Sequence, residues 1–390
     1  MKIIHLKKGK EIPLKRFHPW VFSGAIYKQE GKPVDGDIVT VVDYQQNFLA
    51  IGHYYSGSIA VKIFSFENTE VNQAFWNEKL KKAYNLRQSL NFENTNCYRL
   101  VHGEGDGFPG LIIDFYNGVA VYQAHTIGMH LLKSIIADAL KNVLGKTLIG
   151  VYDKSAETLP KNYAQNIENG YIFGEVNLPH LVAENGVKFG INWETGQKTG
   201  FFLDQRDNRK LLQKYVTGKK VLNAFSYSGG FSAYSLLADA KEVFSVDSSE
   251  KATLLAIQNI ELNTPKSKKS KVITSDVIDF LRQTDEEFDV IILDPPAYAK
   301  SLDARHRALQ AYKRLNIEGF KKLKSGGILF TFSCSQVVDR ELFYNTIVAA
   351  ALESNRQVRV LHHLSQGADH PVNAFHPEGN YLKGLVLYVD

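Results

Sequence analysis

Only two of the 390 residues are cysteine, Cys97 and Cys334. Two thiols so far apart cannot form a disulfide framework, and no C-x-x-C pair exists to hold zinc or exchange electrons. No apolar run reaches the roughly 18 residues needed to span a bilayer. The N-terminal stretch MKIIHLKKGKEIPLKRFHPW is basic, but it has no apolar h-region and no small-residue cleavage site. No N-x-S/T acceptor occurs either. A cytoplasmic protein without a metal is expected. The dinucleotide fingerprint G-x-G-x-x-G is missing, and the one Gly-Lys-Thr, Gly145–Thr147, has Leu140 where a phosphate loop needs its first glycine. No internal repeat or low-complexity segment is found.

What is present is ordinary globular material: 44% hydrophobic and 22% charged residues, with a mild net charge of +5. The charge is unevenly spread. Residues 1–33 carry Lys2, Lys7, Lys8, Lys10, Lys15, Arg16, Lys28 and Lys32 against Glu11 and Glu30. With Phe17, Trp20 and Phe22 interleaved, this is how phosphate-binding surfaces are built. Lys15, Arg16 and Trp20 are the RNA-binding candidates. A second cluster, Lys266, Lys268, Lys269 and Lys271, reads as a solvated loop.

Three regions follow from the rhythm of the chain. Residues 1–70 alternate short β-branched runs with Gly, Asp and Asn turns, the pattern of a small barrel. Residues 71–192 begin with a helix over 73–90 and continue as strands around one helix, MHLLKSIIADALKNVL, an α+β order. The stretch Arg99–Gly110 reads as a structural turn. From 193 to 390, strands and helices alternate and the strands are nearly all apolar, which predicts a doubly wound, mostly parallel sheet.

Ligands bind such sheets at the carboxyl ends of the strands. The first strand ends in NAFSYSGGFS, where Phe225, Tyr227 and Gly229 shape a turn that can approach a ligand. Asp247, Asp276 and Asp294 end the next three strands. Singly, each acid suits a helix N-cap. Together they suit adenosine, and the missing phosphate loop favours S-adenosylmethionine. The preceding segment Glu194–Arg209 offers Gln197, Phe201, Asp204 and Arg206 as a cover. Cys334 lies beyond the apolar run LFTFS. Its default is a small hydrophobe, but a thiolate there could add to a polarised carbon. Sulfur adding at carbon 6 of a pyrimidine makes carbon 5 nucleophilic, with Asp294 as the acid near ring nitrogen 3.

These residues resemble a known family. RFHPWVFSGAI, GEGDGFPGLIIDFY, GQKTGFFLDQR, NAFSYSGGFS, SVDSS, DPPAYAK, SCS and HPVNAFHPEGNYLKGL are similar, in order, to the motifs of bacterial ribosomal RNA cytosine-C5 methyltransferases. That resemblance covers nearly the whole chain. It implies a PUA barrel, a central α+β domain, a Rossmann-like S-adenosylmethionine-dependent domain, Cys334 as nucleophile and large-subunit ribosomal RNA as substrate. A homodimer is left open. The alternatives are methylation of a base nitrogen, a non-catalytic RNA-binding assembly factor, and a nicotinamide oxidoreductase. The last is disfavoured by the missing phosphate turn.

Overall fold

Residues 2–390 are described by a computed structural model in which two units interleave along the chain. One comprises Met1–Val182, Ile191–Phe201 and Ala368–Gly379; the other comprises Ala183–Gly190, Phe202–Gly367 and Asn380–Asp390.

The first unit carries two sheets. Strands β1 (Ile3–Leu6), β2 (Trp20–Phe22), β3 (Ile26–Glu30), β4 (Ile38–Val42), β5 (Phe48–Tyr54) and β6 (Ile59–Ser65) pair in the order β2-β6-β5-β4-β1-β3. Alternate residues of these strands, among them Ile4, Leu6, Val39, Val41, Val61 and Ile63, form a closed apolar core. A helix, Gln73–Ser89, follows; Asn72 caps it by accepting from the Phe75 amide at 3.1 Å. The second sheet holds β7 (Cys97–His102), β8 (Leu111–Tyr116), β9 (Val119–Ala124), β10 (Gly150–Asp153) and β11 (Gly170–Phe173), in the order β11-β10-β9-β8-β7. Cys97 is buried there and forms no disulfide.

The predicted single helix over 129–144 is two helices, Ile127–Leu131 and Lys133–Leu144. The cause is local. The Tyr122 hydroxyl donates to the Met129 carbonyl, the acceptor a continuous helix would give to Lys133. The Arg99–Gly110 turn is structural as expected. Its Asp106 makes a buried bidentate pair with Arg87, at 2.5 and 2.7 Å, and also accepts from the His102 amide. A hairpin of β12 (His180–Glu184) and β13 (Val187–Ile191) follows.

The second unit is built on seven strands: β14 (Lys220–Ala224), β15 (Glu242–Asp247), β16 (Ser270–Thr274), β17 (Phe288–Leu293), β18 (Leu323–Ser333), β19 (Val358–Leu364) and β20 (Lys383–Val389). Their order is β16-β15-β14-β17-β18-β20-β19. The first five are parallel and β20 runs antiparallel between β18 and β19. Both faces are covered. Val290 and Ile292 face the helices Arg206–Val216 and Gly230–Leu237, while Ile291 and Leu293 face Arg305–Lys322 and Arg340–Glu353. This is why β17 reads as one apolar run rather than an alternation. The strand order reverses between β14 and β17, which opens a crevice at their carboxyl ends. The amino end of β20 reaches the same edge, where Lys383 pairs with Ser333. Among the described residues no helix is long and apolar enough to cross a membrane.

Candidate active site

The turn after β14 is held in an uncommon backbone shape. Phe225 and Tyr227, neither a glycine, have φ of 60° and 42°, and Gly229 has φ of 72°. A non-glycine residue there costs on the order of 1 kcal/mol and persists only when its surroundings impose it. They do so here. The Ser226 amide donates to the Val246 carbonyl at 3.0 Å and the Tyr227 amide to Asp247 Oδ2 at 2.9 Å. The Phe202 ring meets Tyr227 edge-on, with centroids 5.2 Å apart. Gly229 has a packing reason to lack a side chain: a Cβ would sit 3.0 Å from that of Ala256 on the helix Glu250–Asn263. Its freedom serves that close approach.

The three acids at the strand ends differ. Asp247 accepts one amide on each oxygen, from Tyr227 and from Ser249 at 2.9 Å, and keeps further lone pairs. Ser249 caps the following helix. Asp276 is exposed, and its Oδ1 accepts from the amides of Ile278 and Asp279 as a helix cap. Asp294 is half-buried. Its Oδ2 accepts from Gln205 Nε2 at 3.0 Å, and Gln205 is held in turn by Asn208 at 2.6 Å. Burial, then the nearby charge of Asp204, pushes the Asp294 carboxyl up to about 7. Near neutral pH it can therefore donate a proton. Asp204 Oδ2 accepts from the Tyr381 hydroxyl at 2.6 Å, while Oδ1 is buried without a partner in the protein.

Cys334 follows β18. Its Sγ is 3.9 Å from the carbonyl of Pro295, the residue after Asp294. The two loops are pinned together by Ser335, whose Oγ meets the Ala299 amide at 3.3 Å and the Tyr312 hydroxyl at 3.0 Å. Burial, then the charges of Asp294 and Asp204, pushes the thiol up to about 12. At rest it is protonated, so attack requires a group to take its proton.

The other candidates lie in the first unit. Gln197 follows β13, and Phe201 is buried. Lys15 and Arg16 are exposed at the end of the short helix Ile12–Lys15. Trp20 is more committed than its basic neighbours. Its Nε1 donates to Glu104 at 3.0 Å, its ring lies 4.2 Å from that of His376, and Lys62 sits over it at 5.6 Å. Gln205 and Lys383 were not anticipated. Both lie within motifs that carry the family resemblance, GQKTGFFLDQR and HPVNAFHPEGNYLKGL, but nothing in their spacing marks them.

Residues 4–66 match the model of a PUA-like domain, and residues 98–369, more than half the chain, match that of the S-adenosylmethionine-dependent methyltransferases. The chain belongs to this methyltransferase family. It is 40% identical to ribosomal RNA large subunit methyltransferase I of Aeromonas salmonicida and 38% identical to that of Escherichia coli, with 98% of each chain covered. A Streptococcus mutans structure described as an S-adenosylmethionine-dependent methyltransferase has the same fold over all of both chains, with a TM-score of 0.85 at 23% identity. Trm5b of Pyrococcus abyssi is more distant, with a TM-score of 0.53 over 71% of this chain and 74% of its own.

The methyltransferase therefore uses S-adenosylmethionine, and its crevice fits that molecule. The buried oxygens Ser226 Oγ, Asn223 Oδ1 and Asp204 Oδ1 have no protein partner. Such atoms suit the hydroxyls and amines of this cofactor, and the Asp204 carboxylate suits its positive sulfonium.

Proposed function

We propose that this methyltransferase modifies carbon 5 of a cytosine in large-subunit ribosomal RNA, with Cys334 as the nucleophile. The observation that carries this reading is the placement of Cys334 Sγ and Asp294 at the carboxyl ends of the adjacent strands β17 and β18, joined through the Pro295 carbonyl at 3.9 Å. An enzyme methylating a ring nitrogen has no use for a thiol at that edge. The full-length relatives named ribosomal RNA large subunit methyltransferase I support the substrate class.

The chemistry follows from the side chains. The Cys334 thiolate adds to carbon 6 of a flipped-out cytosine. Asp294, protonated near neutral pH, gives its proton to ring nitrogen 3, so the electron pair released from the ring double bond comes to carbon 5. S-adenosylmethionine supplies an electrophilic methyl group to that carbon. A base then takes the carbon-5 proton, the C–H pair restores the ring double bond, sulfur leaves as the thiolate, and ring nitrogen 3 returns its proton to Asp294. Asp247 and the Phe225–Gly229 turn would hold the ribose and adenine, and Asp204, with one unpartnered oxygen, would offset the positive sulfonium. Functionally we assign residues 1–70 to RNA anchoring through Lys15, Arg16 and Trp20, residues 71–192 to a central module, and residues 193–390 to catalysis, in the cytoplasm.

The test is to incubate the protein with labelled S-adenosylmethionine and ribosomal RNA from a strain lacking the enzyme, then digest the RNA and identify the labelled nucleoside. 5-Methylcytidine is expected. A labelled guanosine or adenosine would keep the fold and cofactor but return Cys334 to the packed core.

A further inference from the structure

We propose that Lys383 is the residue that ionises Cys334, by taking the thiol proton as an uncharged amine and then holding the thiolate as an ammonium. This rests on the nucleophilic role of Cys334 proposed above.

The placement is set by the sheet. Lys383 opens β20 and pairs in register with Ser333, the last residue of β18, so it stands beside the residue where the chain turns into Cys334. Lysine is seldom buried without a carboxylate, yet Lys383 is 4% exposed and, among the described residues, no carboxylate pairs with it. Its Nζ donates to two carbonyls, Ser335 at 2.6 Å and Tyr381 at 2.9 Å. The first belongs to the residue following Cys334. A neutral amine has two N–H bonds and one lone pair. Both donors are matched here, and the lone pair is left for a proton.

The electrostatics keep the resting proton on sulfur, so Lys383 takes it only as sulfur bonds to carbon 6. Burial lowers Lys383 to about 8, against the opposing effect of Cys334, with Arg340 lowering and Asp339 raising it further. Cys334 is raised by burial and by Asp294 and Asp204, and the charge of Lys383 acts to lower it. The step balances: the S–H bond breaks, its electron pair stays on sulfur, and the proton forms a third N–H bond on Lys383. When sulfur is later expelled from carbon 6 the thiolate again has its counter-charge in place.

The test reads the thiol directly. The full-length protein is treated with iodoacetamide from pH 6 to 10 without cofactor or RNA, and Cys334 alkylation is followed by peptide mass spectrometry. Cys97, buried, serves as the internal control. For Lys383→Met the rate at pH 8 is expected to fall about tenfold or more and the profile to move to higher pH. Lys383→Arg, which keeps a charge but cannot accept a proton, should retain part of the alkylation rate and lose methylation. Retained S-adenosylmethionine binding certifies that each variant is folded. An unchanged alkylation profile in folded Lys383→Met overturns the proposal. Undiminished methylation by Cys334→Ala would instead overturn the nucleophilic reading, and the alkylation profile would still report on Lys383.

Discussion

Asp294→Asn removes a carboxyl that the fold keeps largely protonated. The native group titrates at about 7 rather than near 3.8, because burial and the Asp204 charge both penalise its ionised form. In the unfolded chain the same carboxyl is ionised above about 4. A raised native value means the folded state holds a proton that the unfolded state has released. The associated stability is complete below about pH 4 and is lost as pH rises through about 7. Between pH 8 and pH 5 the difference is RT times the logarithm of about 100, or about 2.6 kcal/mol. Asp294 is half-buried rather than sealed, so solvent screening reduces this to roughly 1–2 kcal/mol. The asparagine variant has no such dependence. It should equal the wild type or fall below it at pH 5 and exceed it by roughly 1–2 kcal/mol at pH 8, relative to that baseline. Trp20, Trp76 and Trp193 all lie in the first unit, so tryptophan fluorescence does not report on this region. Hydrogen exchange of the β14 and β17 amides does. The variant-to-wild-type protection ratio should rise about 5- to 30-fold from pH 5 to pH 8, after correction for intrinsic exchange. A ratio independent of pH would show that Asp294 ionises normally and cannot serve as a proton donor. Methylation by the variant should fall at least about 100-fold, the scale of a lost general acid.

The other predictions concern separate parts of the site and its support. Cys334→Ala should abolish turnover and leave S-adenosylmethionine affinity, measured by calorimetry, within about twofold of the wild type. Asp247→Ala removes the acceptor for the Tyr227 and Ser249 amides; it should weaken cofactor binding about tenfold or more, and an unaltered dissociation constant would remove Asp247 from the site. Gly229→Val places a branched side chain at φ of 72° and 3.0 Å from Ala256 Cβ; a loss of about 2–4 kcal/mol is expected by urea unfolding followed by far-ultraviolet dichroism. Arg87→Leu strands the Asp106 carboxylate in the first unit; about 3–5 kcal/mol should be lost in unfolding followed by tryptophan fluorescence.

Elements that depend on local pattern were legible. FDVIIL had to be a strand buried on both faces, and the five strands of the second sheet could be named from β-branched runs between turns. The hairpin β12–β13 is also written in the chain: Asn185-Gly186, with φ of 49° and 82°, is the strongest short-range hairpin signal. The split at Leu132 was not legible, because its cause is a hydroxyl from another strand. The acids at the strand ends make the same point about function. Asp247, Asp276 and Asp294 look equivalent in sequence, each following an apolar run. What separates them is which lone pairs the fold has already used. Asp276 spends one oxygen on two amides of its own helix, so its neighbours in sequence account for it. Asp247 and Asp294 are held by Tyr227 and Gln205, 20 and 89 residues away, and for Asp294 a second carboxylate nearby changes its protonation. Lys383 is the extreme case. Nothing adjacent marks it, and its meaning arises only because β20 enters antiparallel and brings it beside the end of β18. A residue's chemistry is therefore readable from sequence when its partners are local, and the groups proposed to react in this enzyme are those whose partners are not.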